Sequence, residues 1–324
     1  MIEVATAPRM VVVRPGTNPA PGLAAILTGD SHRRRRERAI AAGFRVAAAF
    51  SILVGALIIL SLVEEAVSFL RAIPLGSLWS DGWFPRRGMF DLRTILAGTL
   101  IVSAIAMVVA APLGLGAAVF LSEYASPRLR RTLKPVLETL AAVPSVVMGF
   151  FALTWISPNL VQKLMGGGSI FSMMAAGIGV GILVTPLVAS IADDAMHAVP
   201  QSLREASYGL AARRRTTSLR VVVPAAVSGV VASLIVGLSR AIGETMVVAV
   251  AAGASGGSLF TLNPLGPGQT MTGAMAALAT GSDQVTGDAA AFQSLFFVGL
   301  LLFGMTLVLN LVSERFVRRM RKKY

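Results

Sequence analysis

Two oppositely charged residues, Arg240 and Glu244, lie four residues apart in the stretch SRAIGETM, inside an otherwise apolar run. On one continuous helix this spacing places both side chains on the same face, where they can pair. A guanidinium offers a planar fork of donors that suits a tetrahedral oxyanion, and a nearby carboxylate would weaken its grip. Conduction needs binding that permits both entry and release. A charged pair in a membrane segment is therefore either used by a substrate pathway or is a structural ion pair that locks two helices.

Ser239 and Thr245 flank this pair and carry hydroxyl groups. Either hydroxyl could donate a further hydrogen bond to an anion, although bonding back to a carbonyl of the same helix is the common alternative. The candidate substrate-pathway residues are therefore Arg240, Glu244, Ser239 and Thr245.

The composition excludes several classes of enzyme. The sequence has no cysteine, only two histidines, no HExxH motif and no GK dipeptide. We therefore predict no catalytic residues, no metal site and no cofactor bound by this chain, and a P-loop for nucleotide is absent. A chain without a nucleotide site would need a separate polypeptide to drive active transport.

The elements that position these residues are membrane helices. Hydrophobic residues make up 55% of the chain and charged residues 14%, whereas a soluble domain has about 25% charged residues. A membrane-crossing helix needs about 20 apolar residues. The sequence predicts an all-α integral membrane protein with about six transmembrane helices, at 43–63, 95–121, 136–156, 170–192, 225–251 and 293–313.

The positive charges predict the orientation. Of the 29 lysines and arginines, 22 fall in the arm 1–42, the connections 122–135 and 193–224, and the tail after 313. This asymmetry follows the positive-inside rule and predicts that both termini are cytoplasmic. The predicted organisation is a flexible basic arm (1–42), a first helix with its outer loop (43–94), a core of the remaining membrane helices with the cytoplasmic connection 193–224 (95–313) and a basic cytoplasmic tail (314–324).

The high net charge of +13 raises the question of nucleic-acid binding. The basic run at 33–38 could bind nucleic acid, but such a run beside a membrane helix is more typical of an anchor on anionic lipid head groups. The basic residues also lack interleaved aromatic residues. Membrane lipids, and no nucleic acid, are the predicted partners of this charge.

The cytoplasmic connection 193–224 contains a helical run after Pro200, with a start predicted at Gln201 or Ser202 and Ser202 as a candidate cap. A basic patch and a second short helical stretch follow. Two short helices beneath the membrane would suit the docking of another protein; a solvated loop is the alternative.

Within this connection, Glu205, Ala206 and Ser207 resemble the opening of the EAA motif of ABC importer permeases, which has glycine six residues and proline nineteen residues after the glutamate. Pro224 occupies the proline position, whereas Ala211 stands where the family has glycine. The resemblance implies a coupling helix that docks in a cleft of a cytoplasmic ATPase subunit. The coupling residues that it implies are Arg204, Glu205, Ala206, Ser207, Gly209 and Ala211.

Other stretches narrow the resemblance to the permeases of phosphate-specific ABC transporters, over roughly residues 90 to 320. The matching stretches are LETLAAVPSVVMGFFAL, TPLVASIADDAMHAVP, REASYGL, SRAIGETMVVAVAAG and LFFVGLLLFGMTLVLNLVSER. In that family the arginine and glutamate of RAIGET are implicated in transport.

The resemblance implies a type I importer permease in the bacterial inner membrane. The partners it implies are a PstA-like sister permease, a dimer of PstB-like ATP-binding subunits that use ATP and Mg, and a periplasmic or lipid-anchored PstS-like phosphate-binding protein. Three alternatives remain: a role as the sister permease, transport of another tetrahedral oxyanion, or a membrane scaffold that senses phosphate.

Overall fold

The computed structural model describes residues 31–166, 169–253, 257–281 and 289–321. Most of the predicted flexible arm (1–30) and the end of the predicted tail (322–324) lie outside the described residues. The chain divides into two compact units, residues 1–59 and 60–324. In the first unit the described part is helical and exposes large apolar side chains such as Phe44 and Phe50, as expected of a surface that contacts lipid.

Helices make up most of the described chain. Three helices continue into wider π-helical turns, at Phe120–Tyr124, Ala152–Gln162 and Ser218–Val222. The α-helices of four or more residues in the described chain are α1 (Ser31–Ala72), α2 (Leu92–Val119), α3 (Pro127–Leu140), α4 (Ser145–Phe151), α5 (Met173–His197), α6 (Gln201–Gly209), α7 (Arg214–Thr217), α8 (Val227–Ile242), α9 (Met246–Ala251), α10 (Met271–Ala279) and α11 (Ala289–Arg321).

Five helical stretches of the described chain are long and apolar enough to cross a membrane. A sixth span results if Arg214–Ala225 and α8, which meet at a bend of 73°, are taken together. The prediction of an all-α protein with about six spans is therefore confirmed. The cytoplasmic location of both termini stays a prediction.

The third predicted span, 136–156, is wrong in its position. Residues 136–140 belong to α3, an amphipathic basic helix with no buried residue, and the membrane-length stretch is Ser145–Met165. Pro144 precedes α4 and has an extended conformation, so it begins the helix and does not kink it. Proline suits such a position because it has no N–H to donate. Pro112 and Pro186, in contrast, lie inside α2 and α5.

The fifth predicted span, 225–251, is interrupted. Helix α8 ends at Ile242 and α9 begins at Met246, so the residues between them belong to neither helix. This break falls within the charged stretch that the sequence singled out.

Helices α2 and α5 form the centre of the second unit and approach each other closely. A Cβ on Gly177 would lie 2.7 Å from the Ile105 side chain, and one on Gly181 would lie 2.7 Å from Val109. Small residues permit this separation, which is how membrane helices gain packing contacts in the absence of a hydrophobic driving force. The shared core is apolar and includes Val102, Ala106, Val180 and Val184.

A β-hairpin lies between α1 and α2. Strand β1 (Trp83–Phe84) pairs antiparallel with β2 (Met89–Phe90). Trp83 also exchanges backbone hydrogen bonds of 2.8 and 3.0 Å with Ser258. The hairpin packs with Phe69, Met271 and Val298 into an apolar cluster, which ties the 257–281 segment to the ends of α1 and α2.

Candidate translocation and coupling sites

The break between α8 and α9 separates the two charges of the SRAIGETM stretch. Arg240 lies in the last turn of α8, Gly243 caps that helix, and Glu244 precedes Thr245, the N-cap of α9. Two residues that the sequence predicts on one helical face therefore lie on opposite sides of a helix end.

Arg240 and Glu244 consequently do not form the predicted ion pair. Arg240 is exposed, and no described carboxylate lies within ion-pair distance of it. Glu244 is buried, at 7% exposure, and its Oε1 accepts a hydrogen bond from the Val247 N–H at 3.4 Å. The prediction of pairing failed because it assumed a helix that continues past Ile242.

The two flanking hydroxyls have local partners. Ser239 donates to Asn310 Oδ1 at 3.3 Å, which links α8 to α11, and Thr245 donates to the Gly243 carbonyl at 3.3 Å. Neither hydroxyl bonds back to the preceding helical turn. Whether these residues contact a substrate stays a prediction.

Residues of α10 hold the break in place. The Thr272 hydroxyl donates to the Glu244 carbonyl at 2.8 Å, and Thr270 caps α10 by accepting from the Gly273 N–H. The Met271 N–H donates to Thr99 Oγ1 of α2 at 2.9 Å. The carbonyl freed at the break is thus satisfied by a neighbouring helix, which is the condition for irregular backbone within a membrane.

A cavity of about 160 Å³ lies between α9 and α10 beside this break. Gln269 contributes to its lining and is 2% exposed, and neither its amide nitrogen nor its amide oxygen has a hydrogen-bond partner among the described residues. A buried amide without partners is costly. Sequence reasoning missed Gln269 because a glutamine in a Gly- and Thr-rich segment belongs to no motif; burial is the signal that identifies it.

The predicted coupling residues divide by exposure along α6. Glu205, Ala206 and Gly209 are exposed, whereas Arg204 and Ser207 are buried. The helix begins at Gln201, and Pro200 occupies its N-cap position without a side-chain cap, so Ser202 is not the cap. The exposed face can meet another protein; the buried residues contact this chain instead.

Ala211 follows the C-cap of α6, Leu210, and adopts a left-handed conformation with φ of 56°. The Ala211 N–H donates to the Tyr208 carbonyl and the Ala212 N–H to the Ser207 carbonyl, which is the hydrogen-bond pattern of a Schellman motif. Glycine is usual at this position because it has no Cβ. The turn expected between the two short helices therefore forms with alanine at the position where the EAA pattern has glycine.

Arg204 of α6 contacts residues at the ends of two spans, α2 and α5. Its Nη2 lies 2.9 Å from Glu123 Oε1, and its guanidinium also donates to the carbonyls of Val199 (2.6 Å) and Met196 (2.8 Å). Sequence reasoning missed Glu123, which lies 81 residues earlier; no local spacing connects the two.

A second group of charges joins α3 to α5. Arg130 pairs with the fully buried Asp193 at 2.8 Å, and Lys134 lies 3.5 Å from Asp193 and pairs with Asp194. The hydrogen bond to Asp194, more than any other contact, raises the pKa of Lys134, and burial opposes it. The contribution of Lys134 to this contact is therefore present at neutral pH and is lost as the pH rises through the raised pKa of the lysine.

A bundle of membrane helices with a broken span, and with a short exposed helix between two of its spans, is characteristic of a multi-pass membrane transport component. The family model described as "Binding-protein-dependent transport system inner membrane component" matches residues 110–322, and the chain belongs to this family of inner-membrane transport proteins.

Several curated relatives support this assignment. The phosphate transport system permease protein PstC of Pasteurella multocida (strain Pm70) is 30% identical over 86% of this chain and 91% of its own length. The protein of the same name from Mesorhizobium japonicum is 30% identical over 80% of this chain and 83% of its own length. The probable ABC transporter permease protein YqgH of Bacillus subtilis (strain 168) is 33% identical over 62% of this chain and 69% of its own length.

A solved structure shows the same fold. A chain of the MetNI methionine ABC transporter in an inward-facing conformation matches with a TM-score of 0.50 at 18% identity, over 69% of this chain and 91% of that chain. At this identity the match supports the fold and says nothing of the substrate.

Proposed function

We propose that this chain is a transmembrane permease subunit of an ATP-driven inorganic phosphate importer, and that it forms part of the translocation pathway. The single observation that carries the proposal is the state of Arg240. Its guanidinium is exposed at the end of a broken membrane helix, with no described carboxylate beside it. The names of the PstC relatives support phosphate as the anion.

An unpaired guanidinium in a membrane segment is costly, and such residues usually serve a substrate or ion pathway. Phosphate carries between one and two negative charges near neutral pH, and its oxygens match the guanidinium fork. Arg240 would therefore attract the anion, and the anion would in turn supply the countercharge that the described residues do not provide at this position.

Glu244 would act in release. If α8 and α9 joined into one continuous helix in another state of the transport cycle, Glu244 would come one turn from Arg240 and compete for its guanidinium. When α8 and α9 are separate, Arg240 is free to bind the anion. When they are joined, Glu244 takes the guanidinium and the anion is released. This sequence would supply the weak binding that transport requires.

Coupling to ATP would use the exposed face of α6. Glu205, Ala206 and Gly209 face solvent there and would enter a cleft of an ATP-binding subunit, which binds ATP and Mg. A sister permease would complete the pathway, and a phosphate-binding protein would deliver the anion on the outer side. ATP binding would then change the access of the pathway from one side of the membrane to the other.

Uptake into proteoliposomes that contain the assembled complex tests this proposal. The Arg240→Gln variant should lose phosphate uptake by about tenfold to a hundredfold, because a charge-assisted hydrogen bond is worth about 1.5–3 kcal/mol. Arg45→Gln is the matched control, since Arg45 is also an exposed arginine within a membrane-length helix. This control should transport normally.

The same assay separates the alternatives. Uptake that sulfate inhibits as well as phosphate does would indicate a permease for another oxyanion. Full uptake by a complex that lacks this chain, with an altered phosphate response in cells, would indicate a sensing scaffold. Normal uptake by Arg240→Gln would contradict the proposed role of the arginine.

A further inference from the structure

The guanidinium of Arg204 connects α6 with the ends of two spans. Its Nε and Nη2 lie 3.3 and 2.9 Å from Glu123 Oε1, in the turn that follows α2. Its other donors reach the Met196 and Val199 carbonyls at the end of α5. One side chain thus bonds to both spans while belonging to the helix whose opposite face is exposed.

This contact is largely shielded from solvent. The side chain of Glu123 is 3% exposed and that of Arg204 is 11% exposed. Two buried charges with this geometry depend on each other, because neither can recover its hydration if the other is removed. Little of the Arg204 side chain is therefore exposed to a docked subunit, in contrast to its neighbour Glu205, which is exposed.

The backbone near Glu123 is shaped for this contact. Residues Phe120–Tyr124 form a π-helical turn, closed by a hydrogen bond from the Ala125 N–H to the Phe120 carbonyl at 2.8 Å. Such turns are rare and occur often at functional positions, since they redirect the side chains of a helix. Ser122 also donates to Glu123 Oε1 at 3.1 Å, so the same oxygen accepts from its own turn and from Arg204.

Apolar and hydroxyl contacts strengthen the same junction. The buried cluster at this end contains Ala118 of α2, Met196 of α5 and Val222 of the segment after α7. Ser207 of α6 and Thr217 of α7 share a buried hydrogen bond of 2.9 Å. The exposed face of α6 is thus the outer surface of a packed unit and not of a loose loop.

We infer that Glu123 and Arg204 are positioning residues for transport: their ion pair makes α6 move as one body with the ends of α2 and α5. A displacement imposed on α6 by a docked subunit then reaches both spans. The inference rests on the proposed function, because it assumes that α6 receives such a displacement, and it adds a residue, Glu123, outside the motif.

The first test measures phosphate taken up per ATP hydrolysed by the complete complex in proteoliposomes. Glu123→Gln and Arg204→Lys each weaken the pair while keeping a polar side chain of similar size. Each variant should lower the ratio of uptake to hydrolysis by about tenfold, the loss expected for one charge-assisted hydrogen bond, while ATP hydrolysis stays within about twofold. Uptake and hydrolysis that fall in proportion would overturn the inference, since the pair would then only support folding or assembly.

The second test replaces the ion pair by a covalent link. The natural chain has no cysteine, so a Glu123→Cys, Arg204→Cys double variant can be cross-linked at a single place with a reducible thiol-reactive linker, in a complex whose partner subunits are also free of cysteine. Cross-linking should restore the ratio of uptake to hydrolysis, and reduction should abolish it again. A linked complex that hydrolyses ATP but stays uncoupled would show that the two elements must move apart.

The outcomes distinguish this inference from the proposed function. A complex with the natural sequence that hydrolyses ATP without phosphate uptake would contradict the proposed function. Normal uptake by the natural complex, together with unchanged coupling in both single variants, would contradict the role of the Glu123–Arg204 ion pair and leave the proposed function intact.

Discussion

Charged side chains are paired differently in two regions of the molecule. One region is the break between α8 and α9, and the other is the α6 end of the bundle, where α2, α3, α5 and α6 meet. At the break, Arg240 is exposed and has no described acidic partner, and Glu244 is bonded to a backbone N–H. At the α6 end, Glu123 and Asp193 are buried and each is bonded to an arginine within 3 Å. The sequence predicts an ion pair at the break; the structure forms its buried pairs at the other place.

This difference separates two uses of charge. A buried pair adds little net stability, because desolvation offsets attraction, but its loss is severe and its geometry is specific. Charges at the α6 end therefore fix how helices are joined. The unpaired charge at the break has no such role within the chain, so a stability measurement and a transport measurement should respond to different residues.

The largest effect on stability is expected from Asp193→Ala. This change leaves Arg130 and Lys134 without their buried acceptor, and breaking a buried pair costs about 3–5 kcal/mol. Thermal unfolding of the purified complex in detergent measures the loss. Asp194→Ala is the matched control; the Asp194 side chain is 62% exposed, and a surface pair contributes about 0–1 kcal/mol.

If the two regions differ in this way, Arg240→Gln should not lower the free energy of unfolding by more than about 0.5 kcal/mol, because no described carboxylate pairs with Arg240. Equal destabilisation by Arg240→Gln and Asp193→Ala would remove the distinction between the two regions. It would also favour a structural role for Arg240, in a contact that involves another subunit.

A smaller, functional effect is expected from Glu205→Lys. Glu205 is exposed on α6, so a reversed charge should disturb the docked ATP-binding subunit and leave the fold of this chain intact. We expect phosphate uptake per ATP to fall about tenfold, as for one charge-assisted contact. Thr216→Lys adds a positive charge at another exposed residue, on the adjacent α7, and serves as control. Normal coupling in Glu205→Lys would count against α6 as the docking helix.

Local sequence patterns predicted most of the fold. Apolar runs identified the spans, and Pro200 marked the start of α6 because proline suits the beginning of a helix. The predicted span 136–156 was wrong in position because the apolar residues of α3 and α4 follow each other closely in sequence and resemble a single membrane helix. The apolar residues of α3 line one side of a basic amphipathic helix, and Pro144 separates the two helices.

The candidate sites were predicted less completely, since they depend on contacts between distant segments. Gly243 allows a helix to end but does not require it, so SRAIGETM alone is compatible with one continuous helix. The Thr272 hydroxyl that satisfies the Glu244 carbonyl lies 28 residues away in sequence. Glu123 is likewise identified only when folding brings it to Arg204. The transport and docking roles of the predicted residues stay predictions.

The smallest effect is expected from Ala211→Gly, at the turn that ends α6. Alanine in a left-handed conformation is strained by about 1 kcal/mol relative to glycine, so the variant should unfold at a slightly higher temperature and transport normally. Gly209→Ala serves as a comparison for stability only: Gly209 has ordinary helical geometry and open space around its Cα within this chain, so alanine should not lower the unfolding temperature there. Faster uptake by Ala211→Gly would mean that the strained turn limits coupling. Lower stability would show that Ala211 does not adopt this turn, and α6 would then end differently at the surface that meets the ATP-binding subunit.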